Sequence, residues 1–296
     1  MFQLDRYLKE RAALVERALS QVIPEPSGPD ARLLEAMRYS LLAGGKRLRP
    51  ILALAACEAV GGVAQRAIGF ACAVEMIHNY SLIHDDLPCM DDDDLRHGRP
   101  TNHKVYGEAM ATLSGDGLLT DAFKVLATSG SDGVPSSVLL QTVASLAEAA
   151  GSAGMVGGQV IDLQSEGQML TLDELKHLHA KKTGALFLTS IAGGARLGGA
   201  SAQQLTSLER YARALGLSFQ VVDDLLDVEA TTEQMGKRTR KDEAAGKATF
   251  PSLMGIEKSW QFARELEQEA REALAAFGPD AEPLRAIATF VVERKQ

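Results

Sequence analysis

An all-helical, single-domain bundle is the fold this sequence predicts, and three observations carry that expectation. Apolar residues recur three and four apart along almost the whole chain, as on one face of a helix, and period-two alternation over strand lengths is absent. Gly and Pro punctuate the chain at helix-length intervals. No stretch has the length and composition of a linker, and with 46% hydrophobic residues among 296 the chain can bury a full core. Residues 1–296 are therefore expected to form one domain.

The elements follow in order. A helix is expected over 3–21, where Leu4, Leu8, Leu14 and Leu19 are interspersed with Asp5, Glu10 and Glu16. Those acids make it an amphipathic surface helix and not a signal or transit peptide. The short break Pro24-Glu25-Pro26-Ser27-Gly28-Pro29 precedes a helix at 30–43, and the turn Gly44-Gly45-Lys46-Arg47-Leu48-Arg49-Pro50 leads into 50–60. The helix at 64–87 stops at Pro88. Further helices are expected at 104–112, 116–129, 136–154 and 156–166. Thr171-x-x-Glu174 and Ser201-x-x-Gln204 are capping boxes that start 172–182 and 203–215. Helices at 184–197, 217–229, 252–276 and 281–294 complete the set.

Composition excludes several functions. A net charge of −8 and a pI near 5.4 argue against a nucleic-acid binder held by phosphate contacts. No run approaches the ~18 apolar residues of a membrane span, so a soluble chain with no membrane insertion is expected. Cys57, Cys72 and Cys89 show no C-x-x-C spacing, the pattern of a reduced, cytoplasmic protein.

The charge is segregated. Six Asp fall between Asp85 and Asp94. The first run reads Asp85-Asp86-Leu87-Pro88-Cys89-Met90-Asp91, and Pro88 should bulge the chain so that Asp91 turns back toward Asp85. A second run, Asp223-Asp224-Leu225-Leu226-Asp227, puts Asp223 and Asp227 four apart on one helix face. Asp is a poor mid-helix residue, and like charges ~4 Å apart repel by about 1 kcal/mol even in water. An exposed loop carries one such run easily; two paired runs point to hard oxygen ligands for Mg²⁺ shared with a phosphate. Cations gather elsewhere: Lys46, Arg47 and Arg49 around the Gly44-Gly45 turn, then Arg96, Lys182, Lys237 and Lys247 beside helix ends. Singly these are ordinary surface residues; together they suit a diphosphate, whose oxygens Arg binds bidentately. His78 lies two helical turns before Asp85 and faces nearly the same way.

These stretches also carry a resemblance. Gly44-Gly45-Lys46-Arg47-x-Arg49-Pro50, Glu75-Met76-Ile77-His78-x-Tyr80-Ser81-Leu82-Ile83-His84-Asp85-Asp86-Leu87-Pro88, Gly157-Gly158-Gln159-x-x-Asp162, Lys182-Thr183-Gly184-Ala185, Phe219-Gln220-x-x-Asp223-Asp224-x-x-Asp227 and Gly246-Lys247-Ala248-Thr249 occur in the order found in bacterial farnesyl diphosphate synthases. The chain resembles that family, of the short-chain trans-polyprenyl type, densely over residues 38–254. The resemblance implies an isoprenoid-synthase-like helical bundle, a homodimer, and three Mg²⁺ ions per site with substrate bound. Asp85, Asp91 and Asp223 would bind Mg²⁺, with Asp86 and Asp227 close by, gripping the diphosphate of dimethylallyl or geranyl diphosphate with Arg96, Lys182 and Lys237. Lys46, Arg49 and His78 would anchor isopentenyl diphosphate, with Lys247 as a further substrate contact. Thr183 and Gln220 would face the allylic cation with oxygen dipoles, and the released diphosphate would take the final proton.

One departure stands out. The family has two consecutive Arg after the first aspartate run, and here the pair is Arg96-His97, so the charge at His97 depends on a pKa that is about 6.5 when unperturbed. The resemblance also ties product length to Tyr80 and Ser81: a bulky residue five places before the first Asp floors the cavity, so Tyr80 favours the C15 product, farnesyl diphosphate, over geranylgeranyl or geranyl diphosphate. Rival readings are a di-iron bundle built on Glu75-x-x-His78 and Glu174-x-x-His177, a terpene cyclase, and a non-catalytic regulatory homologue. The first leaves both aspartate runs without a role; the others would have altered one of them.

Overall fold

The structure is a computed structural model, which describes residues 2–129, 133–229 and 248–294. It is an all-helical bundle. In chain order the helices are α1 (Leu4–Val22), α2 (Ala31–Leu41), α3 (Leu48–Ala59), α4 (Ala64–Asp85), α5 (Asn102–Tyr106), α6 (Glu108–Thr128) and α7 (Ser136–Ala150). They continue with α8 (Met155–Gln164), α9 (Leu172–His179), α10 (Ala185–Gly198), α11 (Ala202–Glu229), α12 (Phe250–Met254), α13 (Ile256–Ala273) and α14 (Glu282–Glu293).

The core is organised around α3, which is buried from Pro50 to Cys57. An apolar helix with no polar face belongs in the middle of a bundle. One side of α3 packs with α10, α11, α13 and α14 through Ile51, Leu52, Phe187, Ile191, Tyr211 and Ile287. Its other side packs with α1, α2, α4 and α6 through Leu54, Phe70, Met76, Val15, Met37 and Leu118. Helices α3 and α10 approach closely because a Cβ at Gly194 would run into the Ala53 carbonyl.

Helix existence matched the apolar spacing; several boundaries did not, each time at glycine. The expected gap at 113–115 does not form, since α6 runs through it and a side chain at Gly115 would collide with the His84 ring of α4, whereas the break falls at Gly107, φ 87°, inside the expected helix 104–112. Gly216 likewise lies inside the single helix α11. The expected helix 252–276 is instead split by Gly255, which at φ 86° adopts a conformation an L-residue avoids. The boxes Thr171/Glu174 and Ser201/Gln204 both form, with the N–H groups of Glu174 and Gln204 donating to Thr171 Oγ1 and Ser201 Oγ at 3.3 and 3.2 Å.

Candidate active site

The first aspartate run leaves the end of α4 and curls. Leu87 N–H donates to the His84 carbonyl at 3.2 Å, Asp92 N–H to the Leu87 carbonyl at 3.1 Å, and Asp91 N–H to the Asp85 carbonyl at 2.8 Å, which brings Asp91 back to Asp85. Pro88 has no N–H to continue the helix. Burial, aided by the Asp91 and Asp86 charges and opposed by Lys182 and Arg96, raises Asp85 to about 6. Asp86 points the other way: it is buried, and its Oδ1 accepts from Arg96 Nε and Nη2 at 2.8 and 2.6 Å.

Arg96 is held for this by a two-stranded hairpin, Leu95–Arg96 against Arg99–Pro100. Strands were not expected, and pairs this short have no period to read. The turn is His97-Gly98, at φ 51° and 75°. Two successive positive φ values are what a tight two-residue hairpin loop of type I′ needs, and His tolerates that region better than most residues.

The glycine turn before α3 divides its three cations. Arg47, at φ 49°, points inward. Its Nη1 donates to Glu75 Oε1 at 2.6 Å and its Nη2 to the Leu41 carbonyl at 2.7 Å, with both ion-pair side chains at most 5% exposed. Lys46 and Arg49 line a cavity of about 550 Å³ together with His78, Arg96, His97 and Asp223, and the Arg47–Glu75 pair forms part of its wall. Arg49 Nη1 lies 3.3 Å from His78 Nε2 and the guanidinium stacks 4.8 Å over Phe187. A guanidinium only donates, so His78 Nε2 accepts and the ring is neutral at that nitrogen. Burial holds His78 well below its ordinary pKa, and Arg49, Arg96, Arg47 and His97 add to the effect. Burial also pulls Arg49 down to about 10, against the favourable charges of Glu75 and Asp223. Lys46 and the buried Arg49, beside a His78 ring held neutral, give one wall of the cavity the character of an anion site.

The second run sits on α11 facing this cavity. The Asp223 side chain is 60% exposed and pairs with Arg294 at 3.3 Å. Arg294 also donates to the Phe219 carbonyl at 3.1 Å and stacks 3.9 Å over the Phe219 ring. Asp227 is half-buried on the same helix face. Lys182 and Thr183 lie on a π-turn, Ala180–Gly184, that joins α9 to α10; such turns put one extra residue into the helix and re-aim side chains. Lys182 Nζ pairs with Asp162 Oδ2 at 2.6 Å, and Thr183 Oγ1 donates to Gln220 Oε1 at 3.1 Å. Lys237 and Lys247 lie outside the described residues. Tyr80 is buried with its ring edge-on to His84 at 5.7 Å, and burial together with the Asp85 charge raises its hydroxyl to about 12. Ser81 Oγ is turned back onto the His78 carbonyl at 2.8 Å.

The di-iron reading fails on these contacts, because Glu75 is the partner of Arg47 and Glu174 closes its capping box. Among the described residues no three His, Cys, Asp or Glu side chains form a ready metal cage. The donor set of Asp85, Asp91 and Asp223 still suits Mg²⁺, which keeps open positions for water and phosphate oxygen. Sequence reasoning missed three participants: Arg294, which directly follows the last residue of α14, and Asp162 and Asp224, present in the motifs without a role.

Residues 30–276 match the family model described as polyprenyl synthetase. The chain belongs to that family. It is a prenyltransferase. It is 50% identical over 301 residues to the heterodimeric geranylgeranyl pyrophosphate synthase large subunit 1, chloroplastic, of Arabidopsis thaliana, covering 99% of this chain and 80% of that one. A dimethylallyltranstransferase of Fischerella ambigua is 50% identical over 294 residues, with 99% and 84% covered. The crystal structure of a FPP/GFPP synthase from Zymomonas mobilis superposes with a TM-score of 0.87 at 40% identity, covering 98% of each chain. The name geranylgeranyl synthase recurs among further relatives, which sets the farnesyl expectation from Tyr80 against the relatives' names. No helix among the described residues is long and apolar enough to cross a membrane.

Proposed function

We propose that this prenyltransferase condenses isopentenyl diphosphate head to tail with dimethylallyl and then geranyl diphosphate, giving farnesyl diphosphate. The observation that carries the reading is the division of the site into a cationic cavity around Lys46, Arg49 and His78 and carboxylates on two sides of it. Isopentenyl diphosphate sits in the cavity, anchored by Lys46, Arg49 and His78 with His97 beside them, and Arg96 serves the allylic diphosphate. Asp85, Asp91, Asp223 and Asp227 would hold Mg²⁺, whose charge, when bound, would neutralise that of the leaving diphosphate. Lys182, released from Asp162, reaches the allylic diphosphate. As the allylic carbon–oxygen bond breaks, Thr183 and Gln220 turn oxygen dipoles toward the cation. The isopentenyl double bond forms the new carbon–carbon bond, and the proton lost from the adjacent carbon goes to the released diphosphate.

Tyr80, a bulky buried side chain five places before Asp85, supports the C15 product. A C20 product is the second reading, favoured by the names of the relatives. Self-association as a homodimer completes the proposal. The test is an incubation with Mg²⁺, labelled isopentenyl diphosphate and geranyl diphosphate, with products sized by chromatography after dephosphorylation. A dominant C15 alcohol supports the reading, a C20 alcohol replaces its last step, and the absence of any condensation refutes it.

A further inference from the structure

The two leading carboxylates of the second aspartate run have opposite surroundings. The Asp223 side chain is 60% exposed at the cavity, whereas Asp224 is 3% exposed. Asp224 Oδ1 accepts from Gln220 Nε2 at 3.0 Å, and Asp224 Oδ2 accepts from the backbone N–H of Phe250, also at 3.0 Å. Phe250 is itself fully buried. The contact between α11 and the start of α12 therefore runs through this carboxylate.

The chemistry of that contact fixes a neighbour. An ionised carboxylate only accepts, so Gln220 must turn its NH₂ toward Asp224 and its carbonyl oxygen away. That oxygen lies 3.1 Å from Thr183 Oγ1. It acts as acceptor, which commits the single hydroxyl proton of Thr183 and leaves the lone pairs of Oγ1 free. With the amide reversed, Thr183 would accept from NH₂ and present its hydrogen instead. One buried carboxylate thus decides whether the Thr183–Gln220 pair offers a negative or a positive end.

We propose that Asp224 is a positioning residue and not a metal ligand: it sets the Gln220 amide so that the oxygens of Thr183 and Gln220 face the developing allylic cation. This rests on the prenyl-transfer reading above and adds to it the division of roles within the second aspartate run.

The experiment is Asp224→Asn. Asn has one acceptor oxygen for two donors, so it satisfies Phe250 or Gln220 but not both. The expected result is a kcat reduced roughly 10- to 100-fold, somewhat less than the loss of a preorganised oxyanion donor. KM for both diphosphates and the Mg²⁺ concentration for half-maximal rate should stay within about twofold of wild type, since uniform binding is untouched. Mg²⁺-dependent binding of an unreactive thio analogue of geranyl diphosphate, read by calorimetry, should be equally unchanged. Asp223→Asn, by contrast, should raise the Mg²⁺ requirement. Gln220→Met, which leaves Asp224 and Phe250 in place, should reproduce the kcat loss, and adding Asp224→Asn to it should cost little more. An Asp224→Asn enzyme with wild-type kcat, or one needing several-fold more Mg²⁺, overturns the proposal. So does full kcat in Gln220→Met, which covers the case in which Asp224→Asn does not fold. A wild-type protein that makes no prenyl diphosphate overturns the parent reading together with this one.

Discussion

The Arg47–Glu75 pair offers the sharpest test of how the fold holds the cationic cavity. Glu75→Ala leaves the Arg47 guanidinium, with a side chain only 2% exposed, facing Glu16 at 4.0 Å on a half-exposed side chain. Arg47 Nε already has no hydrogen-bond partner, and Asn79 Nδ2 also loses its 3.2 Å contact to Glu75 Oε1. Removing one member of a buried pair costs about 3–5 kcal/mol, because the other charge stays behind. At about 2–4 °C per kcal/mol for domains somewhat smaller than this one, Tm should drop by roughly 6–20 °C. Glu75→Gln retains an oxygen for Arg47 and should cost about 1–3 kcal/mol. Replacing both residues with Met should recover most of the loss, since a buried pair exchanged for apolar groups is often neutral. The assay is urea unfolding followed by circular dichroism across the double-mutant cycle. Arg47 also sits between Lys46 and Arg49, so KM for isopentenyl diphosphate should rise in Glu75→Ala. A Glu75→Ala protein within about 1 kcal/mol of wild type, or a double Met variant no more stable than Glu75→Ala, would refute the reasoning.

Three other outcomes are expected. Tyr80→Ala should lengthen the product, read by chromatography after dephosphorylation; an unchanged length would remove Tyr80 as the cavity floor. His97→Arg should lower KM for isopentenyl diphosphate at mildly alkaline pH, where a guanidinium keeps its charge, and equal constants would contradict this. The third outcome is acid sensitivity at His179, which stacks on Phe250 with neither ring nitrogen hydrogen-bonded. Burial, assisted by Lys182 and opposed by Asp162, lowers its pKa from 6.5 to about 4. The unfolded ring takes up its proton first, so stability present above pH 6.5 is lost as pH falls toward 4. The loss is at most about 3 kcal/mol. His179→Phe should therefore match wild type at neutral pH and exceed it in acid; a Tm difference independent of pH would argue against the assignment.

What the sequence made legible was whatever depends on spacing. Apolar periodicity found the helices, two capping boxes found two starts, and Pro88 foretold the return of Asp91 to Asp85. Glycine was the recurring source of error, because Gly115 marks a close helix approach, Gly216 merely lies inside a helix and Gly255 marks a break, and the letter is the same in each case. The hairpin around His97 was invisible for another reason: two paired residues per strand carry no pattern, and only Gly98 hints at a turn. Direction was the third blind spot. Arg47 and Arg49 look alike in the glycine turn and both border the cavity, yet one is tied up by Glu75 and the other lies against the neutral His78.

The same geometry accounts for the doubled aspartates. Successive residues on a helix point about 100° apart, so an Asp-Asp pair at a helix–cavity boundary cannot present both carboxylates to the same space. At the end of α4, Asp85 stays partly open beside Asp91, while Asp86 is buried on Arg96. On α11, Asp223 opens to the cavity, while Asp224 is buried under Gln220 and Phe250. Each buried member holds a functional neighbour in place: Asp86 fixes the Arg96 guanidinium, and Asp224 fixes the Gln220 amide. A buried carboxylate without such partners would be strongly unfavourable, so the hydrogen bonds that orient the neighbours are also what make the second Asp of each pair tolerable. Conversion of Asp86 or Asp224 to Asn should therefore disturb the aim of a side chain, and conversion of Asp85 or Asp223 the capacity to hold a cation. Two identical letters in each motif perform two different tasks because the helix turns between them.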